Sequence, residues 1–149
     1  MARTLKKIVV DTDILLDHLT GRSVTTGRQG PSVLRQVMAQ MFCYTTVFNA
    51  IELFSLCKTA GERVVVEDVM HSMKVLGLNG KSAKNVGKYL GQLHSSPLRD
   101  MEILIAGLCT ESRLPILTGR PHRYRAIRSL RVVTPDRIVA SHKKGVLWF

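Results

Sequence analysis

The sequence predicts an α/β fold of three layers, a central parallel sheet of about five strands with helices on both faces. Two patterns predict it. Short β-branched or apolar runs alternate along the chain with segments of helical periodicity, so successive strands must be joined by helical crossovers. The length, 149 residues with 45% hydrophobic, suits a single buried core and leaves little room for a second domain.

The elements follow in order. Lys6-Lys7-Ile8-Val9-Val10 reads as a buried first strand ending at Asp11. Ile14, Leu15 and Leu19 then repeat at helical spacing, with Gly21 as the stop. Ser23 to Pro31 is rich in Gly, Thr and Ser and reads as a loop, after which Ser32 caps a helix to about Gln40. Met41 to Tyr44 is a second strand, and Thr45 or Thr46 caps an apolar helix from Val47 to about Lys58. Beyond Gly61 a helix runs to about Met73, followed by a strand over Lys74 to Leu78 and a turn at Asn79-Gly80. Ser82 is the expected cap of a helix to about His94. Ser96-Pro97 opens the next, which ends near Arg113. Pro115 to Thr118 is a fourth strand, Arg120 to Ile127 a short helix, and Leu130 to Val133 a fifth strand. The chain is thus read as one domain over 1–149, with a core of about 7–134 and a tail over 135–149.

Composition narrows the function classes. Net charge is +11, which points to a polyanionic partner such as nucleic acid. The charge is uneven: from Arg120 onward Arg120, Arg123, Arg125, Arg128, Arg131, Arg137, Lys143 and Lys144 face one acid, Asp136. Cys43, Cys57 and Cys109 sit singly in apolar segments, which indicates buried thiols and neither a disulfide framework nor a zinc site. No apolar run approaches the roughly 18 to 20 residues that span a bilayer, and the first residues lack a signal peptide's apolar core. A cytoplasmic location is expected, with no membrane partner.

Ligands of such folds bind beyond the carboxyl ends of the strands, which is where Asp11-Thr12-Asp13 falls. A strand-end aspartate also serves as a helix cap or turn former. Glu52 sits inside the apolar helix Val47 to Leu53, where an unpaired buried charge costs roughly several kcal/mol and calls for a cation. The bland alternative is a solvent-facing glutamate on an amphipathic helix. Asp100 and Glu102 form a third acidic pair, but residues two apart lie about 200° apart around a helix, so only one of them can face a given centre. Acids converging at one sheet edge repel unless Mg2+ or Mn2+ sits between them, and hard oxygen ligands suit those ions.

Four segments together resemble the PIN-domain family of metal-dependent ribonucleases, in particular the VapC type of VapBC toxin–antitoxin pairs. They are Ile8 to Asp17, Thr45 to Leu53, Glu102-Ile103-Leu104-Ile105-Ala106-Gly107, and Leu117-Thr118-Gly119-Arg120 through Tyr124 with Leu130 to Val133. The resemblance implies strand order 3-2-1-4-5, a homodimer, an antitoxin partner, and hydrolysis of RNA phosphodiester bonds with Mg2+ or Mn2+. It makes Asp11 the first metal ligand and Glu52 the second. For the third, the Ile-Ala register selects Glu102, whereas residue type and the preceding Leu98-Arg99 favour Asp100. Thr12, Asp13, Thr46 and Thr118 would surround these ligands as polar groups.

The chain departs from the family at Arg120, which stands where Asp or Asn is common. An arginine cannot ligate a cation but can hold a phosphate bidentately, so Arg120, Arg123 and Arg125 are the expected RNA contacts. The same departure makes a weakly active or inactive PIN-like module, binding RNA or protein, the competing class. Asp11-Thr12-Asp13 also resembles the start of a haloacid-dehalogenase-type phosphatase, but the later paired acids of that family are missing. Gly77 to Ser82 has its glycines too close together for a P-loop. Of the scattered histidines, His122 lies in the basic segment and could touch RNA. The apolar end, Trp148-Phe149, suggests an anchor against the core or a second copy.

Overall fold

The computed structural model describes residues 6–21, 31–92 and 100–138. The expected loop within 22–30, the opening of a helix at Ser96-Pro97 and the apolar end at Trp148-Phe149 lie outside them. Among the described residues, one parallel sheet of five strands has the order β3-β2-β1-β4-β5. The strands are β1 (Lys7–Val10), β2 (Phe42–Thr46), β3 (Lys74–Leu76), β4 (Ile116–Leu117) and β5 (Val132–Val133). The helices are α1 (Thr12–Thr20), α2 (Val33–Met38), α3 (Val47–Leu56), α4 (Ala60–His71), α5 (Gly80–Gln92) and α6 (Asp100–Glu111), with a 3-10 helix at Pro121–Tyr124.

Alternation along the central strand sorts the core into two layers. Ile8 and Val10 point into a cluster with Leu15, Leu34, Val37, Leu53, Val66, Leu117 and Val133, which gathers α1 to α4 on one side. Val9 points the other way, against Ile105, Ala106, Cys109, Ile116 and Tyr124, where α6 and the 3-10 helix cover the sheet. All three strand residues are fully buried, as the β-branched run requires. On the second side α5 packs on α6, close enough that a Cβ on Gly107 would lie 3.1 Å from the Val86 methyls.

The caps explain the boundaries. Gly21 ends α1 with φ +66°, a left-handed conformation that glycine adopts without strain. Ser32 caps α2 by accepting from the Arg35 amide, and Thr46 rather than Thr45 caps α3. At α4, Thr59 and Glu62 satisfy each other's backbone amides in a capping box. The Lys58 and Thr59 amides hold the Glu62 carboxyl below its ordinary pKa. At α5 the expected cap, Ser82, lies inside the first turn, and Asn79 takes the role, its Oδ1 accepting from the Ser82 amide at 2.9 Å. Asparagine and serine cap about equally well, so the one three residues ahead of the free amide prevails. Strands β4 and β5 are two residues each, shorter than the sequence suggests, and pair Ile116 with Val132 and Leu117 with Val133.

The thiols of Cys43 and Cys109 are buried, which raises both, that of Cys43 to about 12, and Cys57 is partly buried. No helix among the described residues is long and apolar enough to cross a membrane.

Ile116 is fully buried in β4, whereas Val64 on α4 is 54% exposed. Ile116→Ala is expected to cost about 2–5 kcal/mol of stability in urea denaturation, and Val64→Ala less than about 0.5 kcal/mol.

Candidate active site

The site is built around the end of β1. The Asp11 amide continues the sheet by donating to the Leu117 carbonyl at 3.0 Å, and the chain then turns into α1. The residue is buried, 8% exposed, and its carboxylate receives donors from three elements. Oδ1 accepts from the Thr12 amide at 2.8 Å and from Asn49 Nδ2 at 3.0 Å, while Oδ2 accepts from the Tyr124 hydroxyl at 3.1 Å. Asp11 is therefore the helix cap that a strand-end aspartate suggests, and a carboxylate held in one orientation as well.

Asn49 does the holding from α3. It is fully buried, and its Nδ2 donates to Thr12 Oγ1 at 2.9 Å in addition to Asp11. Its Oδ1 accepts from the Thr46 hydroxyl at 2.6 Å and the Thr46 amide at 3.2 Å. Both ends of the amide are occupied, so the side chain cannot turn without stranding a buried polar group. Thr45 ties down the neighbouring strand end, its hydroxyl donating to the Val10 carbonyl at 3.0 Å. Burial and the Asp11 charge push the Tyr124 phenol well above its ordinary pKa, which keeps it a donor.

Asp13 forms the other bank. Burial first, then the Asp11 charge, push its carboxyl up to about 6, against the pull of the Gly119 and Ile14 amides and Arg120. The Gly119 amide donates to Asp13 Oδ2 at 2.7 Å and fastens the loop after β4 to α1. A Cβ there would lie 2.8 Å from that oxygen, so a larger residue would displace the Asp13 carboxylate. Thr118 is fully buried behind the loop, and its Oγ1 accepts from the Arg120 amide at 3.1 Å.

These groups open onto a cleft of about 510 Å³ beyond the carboxyl ends of β1 and β4. Asp11, Thr12, Asp13, Glu52, Glu102, Arg120, Arg123 and Tyr124 all line it. Acids at the end of β1 and on α1, α3 and α6 thus line one cleft. Glu52 is half-buried, which corrects the expectation of a charge sunk in an apolar helix: the amphipathic face of α3 turns it to the cleft. Glu102 is buried and ion-paired, its Oε1 lying 3.1 Å from Arg123 Nη1. Asp100 begins α6, but its side chain lies outside the described residues. Arg125 and His122 are exposed and do not line the cleft. Sequence reasoning missed Asn49 and Tyr124. Asn49 carried a signal, since Thr46 and Asn49 have the spacing of a capping box.

The donor set fits a hard divalent cation, because carboxylate oxygens from separate elements line one cleft. Among the described residues, no three His, Cys, Asp or Glu side chains form a ready-made metal cage.

Asn49→Ala removes donors from Asp11 and Thr12 and the acceptor of Thr46. It is expected to destabilise the protein by about 2–3 kcal/mol in denaturant titration, against about 1–2 kcal/mol for Tyr124→Phe, which removes one donor.

No family model matches the chain, and no curated protein matches it in sequence. Solved structures do match it. A DNA-bound VapBC from Salmonella typhimurium superposes with TM-score 0.70 at 18% identity over 88% of this chain and 98% of the other. VapBC-1 from nontypeable Haemophilus influenzae gives 0.70 at 16% identity, over 87% and 98%. VapBC2 from Rickettsia felis, bound to a DNA fragment from its promoter, gives 0.68 at 13% identity, over 86% and 98%. At such identities the likeness is one of fold: the chain has the three-layer PIN-like fold found in VapBC toxin–antitoxin structures.

Proposed function

We propose that the protein is a metal-dependent endoribonuclease, the toxin of a toxin–antitoxin pair, which hydrolyses RNA phosphodiester bonds in the cleft beside Asp11. The observation that carries this reading is the meeting of Asp11, Asp13, Glu52 and Glu102 with Arg120 and Arg123 at the carboxyl ends of the strands, in a PIN-like fold. Net charge of +11 supports a polyanionic substrate.

Asp11 and Glu52 would hold Mg2+ or Mn2+, with Asp100 or Glu102 as the expected third acid. The ion, when bound, would make a water acidic enough to attack at neutral pH and would offset charge on the phosphate. The chain's own groups do the rest. Asn49 and Tyr124 fix the Asp11 carboxylate, and Asp11 lines the cleft. Glu52, half-buried on the cleft wall, is placed to take the proton of the attacking water on a carboxylate oxygen. Arg120 and Arg123 hold the phosphate on either side of the bond to be cut, each with a planar fork of N–H donors. Arg125 would contact the backbone outside the cleft. A cognate antitoxin that covers the cleft and a homodimer belong to the same reading, as does a cytoplasmic location.

The alternative is a PIN-like module that grips RNA without cutting it, a reading that the Glu102–Arg123 ion pair favours by engaging one of the acids.

Incubation of the purified protein with structured RNA and Mg2+ or Mn2+ is expected to give cleavage that chelation abolishes. Asp11→Asn and Glu52→Gln should each slow it by about a hundredfold or more. Equal cleavage by wild type and both variants would place the activity elsewhere. RNA affinity indifferent to divalent ions, without product, would favour the binding module.

A further inference from the structure

We infer that the exposed face of α5, carrying Lys81, Lys84 and Lys88, is a second RNA contact, which grips the phosphate backbone of a long substrate one helix away from the cleft. The inference rests on the reading of the chain as a protein that handles RNA, and it adds where a long RNA lies and which part of it is held there.

The sequence segregates charge along this stretch. Between Asp68 and Asp100 there is no acid, while Lys74, Lys81, Lys84, Lys88 and Arg99 are basic. At about 100° per residue, the three lysines of α5 fall within an arc of about 60°, with Ser82 and Val86 on the opposite side of the helix. Burial follows the same division: all three lysines are exposed, and Ser82 and Val86 are buried.

A solvated helix face requires no such segregation. Helix α4, of similar length, is also largely exposed, and it mixes Glu62, Glu67 and Asp68 with Arg63. On α5 the lysines stand three and four residues apart, so each repels the next, and the helix has no acid to relieve them. Lys81 also lies in the first turn, where its charge meets the positive end of the helix dipole. A polyanion laid along the face relieves both repulsions.

The chemistry of the face selects the kind of polyanion. None of the large exposed apolar side chains among the described residues is on α5, so the face has no anchor for a lipid bilayer or an apolar peptide. What it presents is repeated positive charge, and ammonium groups hold phosphate oxygens without reading bases.

Position connects the face to the cleft. Met101, Glu102 and Ile105 of α6 line the cleft, whereas Gly107, about 200° around the same helix from Ile105, meets Val86 of α5. Helix α5 therefore packs on the side of α6 turned away from the cleft. Packed helices lie about 8–10 Å apart, so an RNA with its cut bond in the cleft meets the lysines by continuing past α6.

The test is binding of a long structured RNA to the full chain by fluorescence anisotropy over a range of salt concentrations, with a chelator present so that cleavage does not enter. Melting curves establish that each variant is folded. Lys81→Gln, Lys84→Gln and Lys88→Gln together keep good helix formers on α5 and remove its charge. The triple variant is expected to bind about tenfold or more weakly at low salt, and to lower the slope of log affinity against log salt by about 2. Arginine at the same three positions keeps the charge and is expected to stay within about threefold of wild type. Lys7, Lys58 and Lys74 are exposed elsewhere, and their joint replacement by Gln removes as much charge while changing affinity less than about threefold. An equal loss from that control would make the effect one of net charge and overturn the inference. So would wild-type affinity in the α5 glutamine variant, or a loss in the arginine variant as large as in the glutamine one, and each of these leaves the nuclease reading standing. A wild type that binds no RNA would overturn both.

Discussion

A carboxylate buried at the end of a central strand must be supplied with hydrogen-bond donors, and supplying them to Asp11 determines where much of the rest of the chain goes. Its donors come from the first turn of α1, from Asn49 on α3 and from Tyr124 on the 3-10 helix. Two of these partners stand 38 and 113 residues away in the chain. A single buried charge therefore ties three elements, two of them far from it in the chain, to one point. The parallel sheet makes this possible, since its order sets β1 beside both β2, which leads into α3, and β4, which leads to the 3-10 helix.

The balance of charge in the cleft follows from the same geometry. Crowding of acids at the sheet edge is visible in Asp13, whose carboxyl is pushed up to about 6 by burial and by Asp11. Gly119 and Arg120 temper that cost on one side, and Arg123 does the same for Glu102 on the other. The arginine that departs from the family pattern, Arg120, lies in the cleft with the acids and contributes there to their compensation. Positive charge built into the chain thus stands beside the acids.

Much of the fold was legible because its signals are local. The β-branched run Ile8 to Val10, the caps at Ser32 and Thr46 and the glycine stop at Gly21 each act within a few residues, and all appear where the sequence places them. The strand order was not legible from periodicity; it came from the resemblance of four segments to one family. Asp11 and Glu52 could be singled out because one ends a strand and the other interrupts an apolar helix. The partners that define their environment could not. Asn49 bonds across 38 residues, Tyr124 across 113, and the Glu102–Arg123 pair likewise joins two elements distant in sequence. The burial of Glu52 was misjudged for a related reason, since helical spacing gives a residue's face but not whether that face meets core or cleft.

The central claim is that Asp11 and Glu52 share one cation at the carboxyl end of β1. Anomalous diffraction from crystals soaked in Mn2+ tests it most directly. The account predicts a peak in the cleft, within coordination distance of an Asp11 oxygen and linked to Glu52 directly or through one water, with Arg123 still seated on Glu102. Mn2+ found only outside the cleft, or an Asp11 carboxylate with no ion beside it at saturating Mn2+, would contradict it.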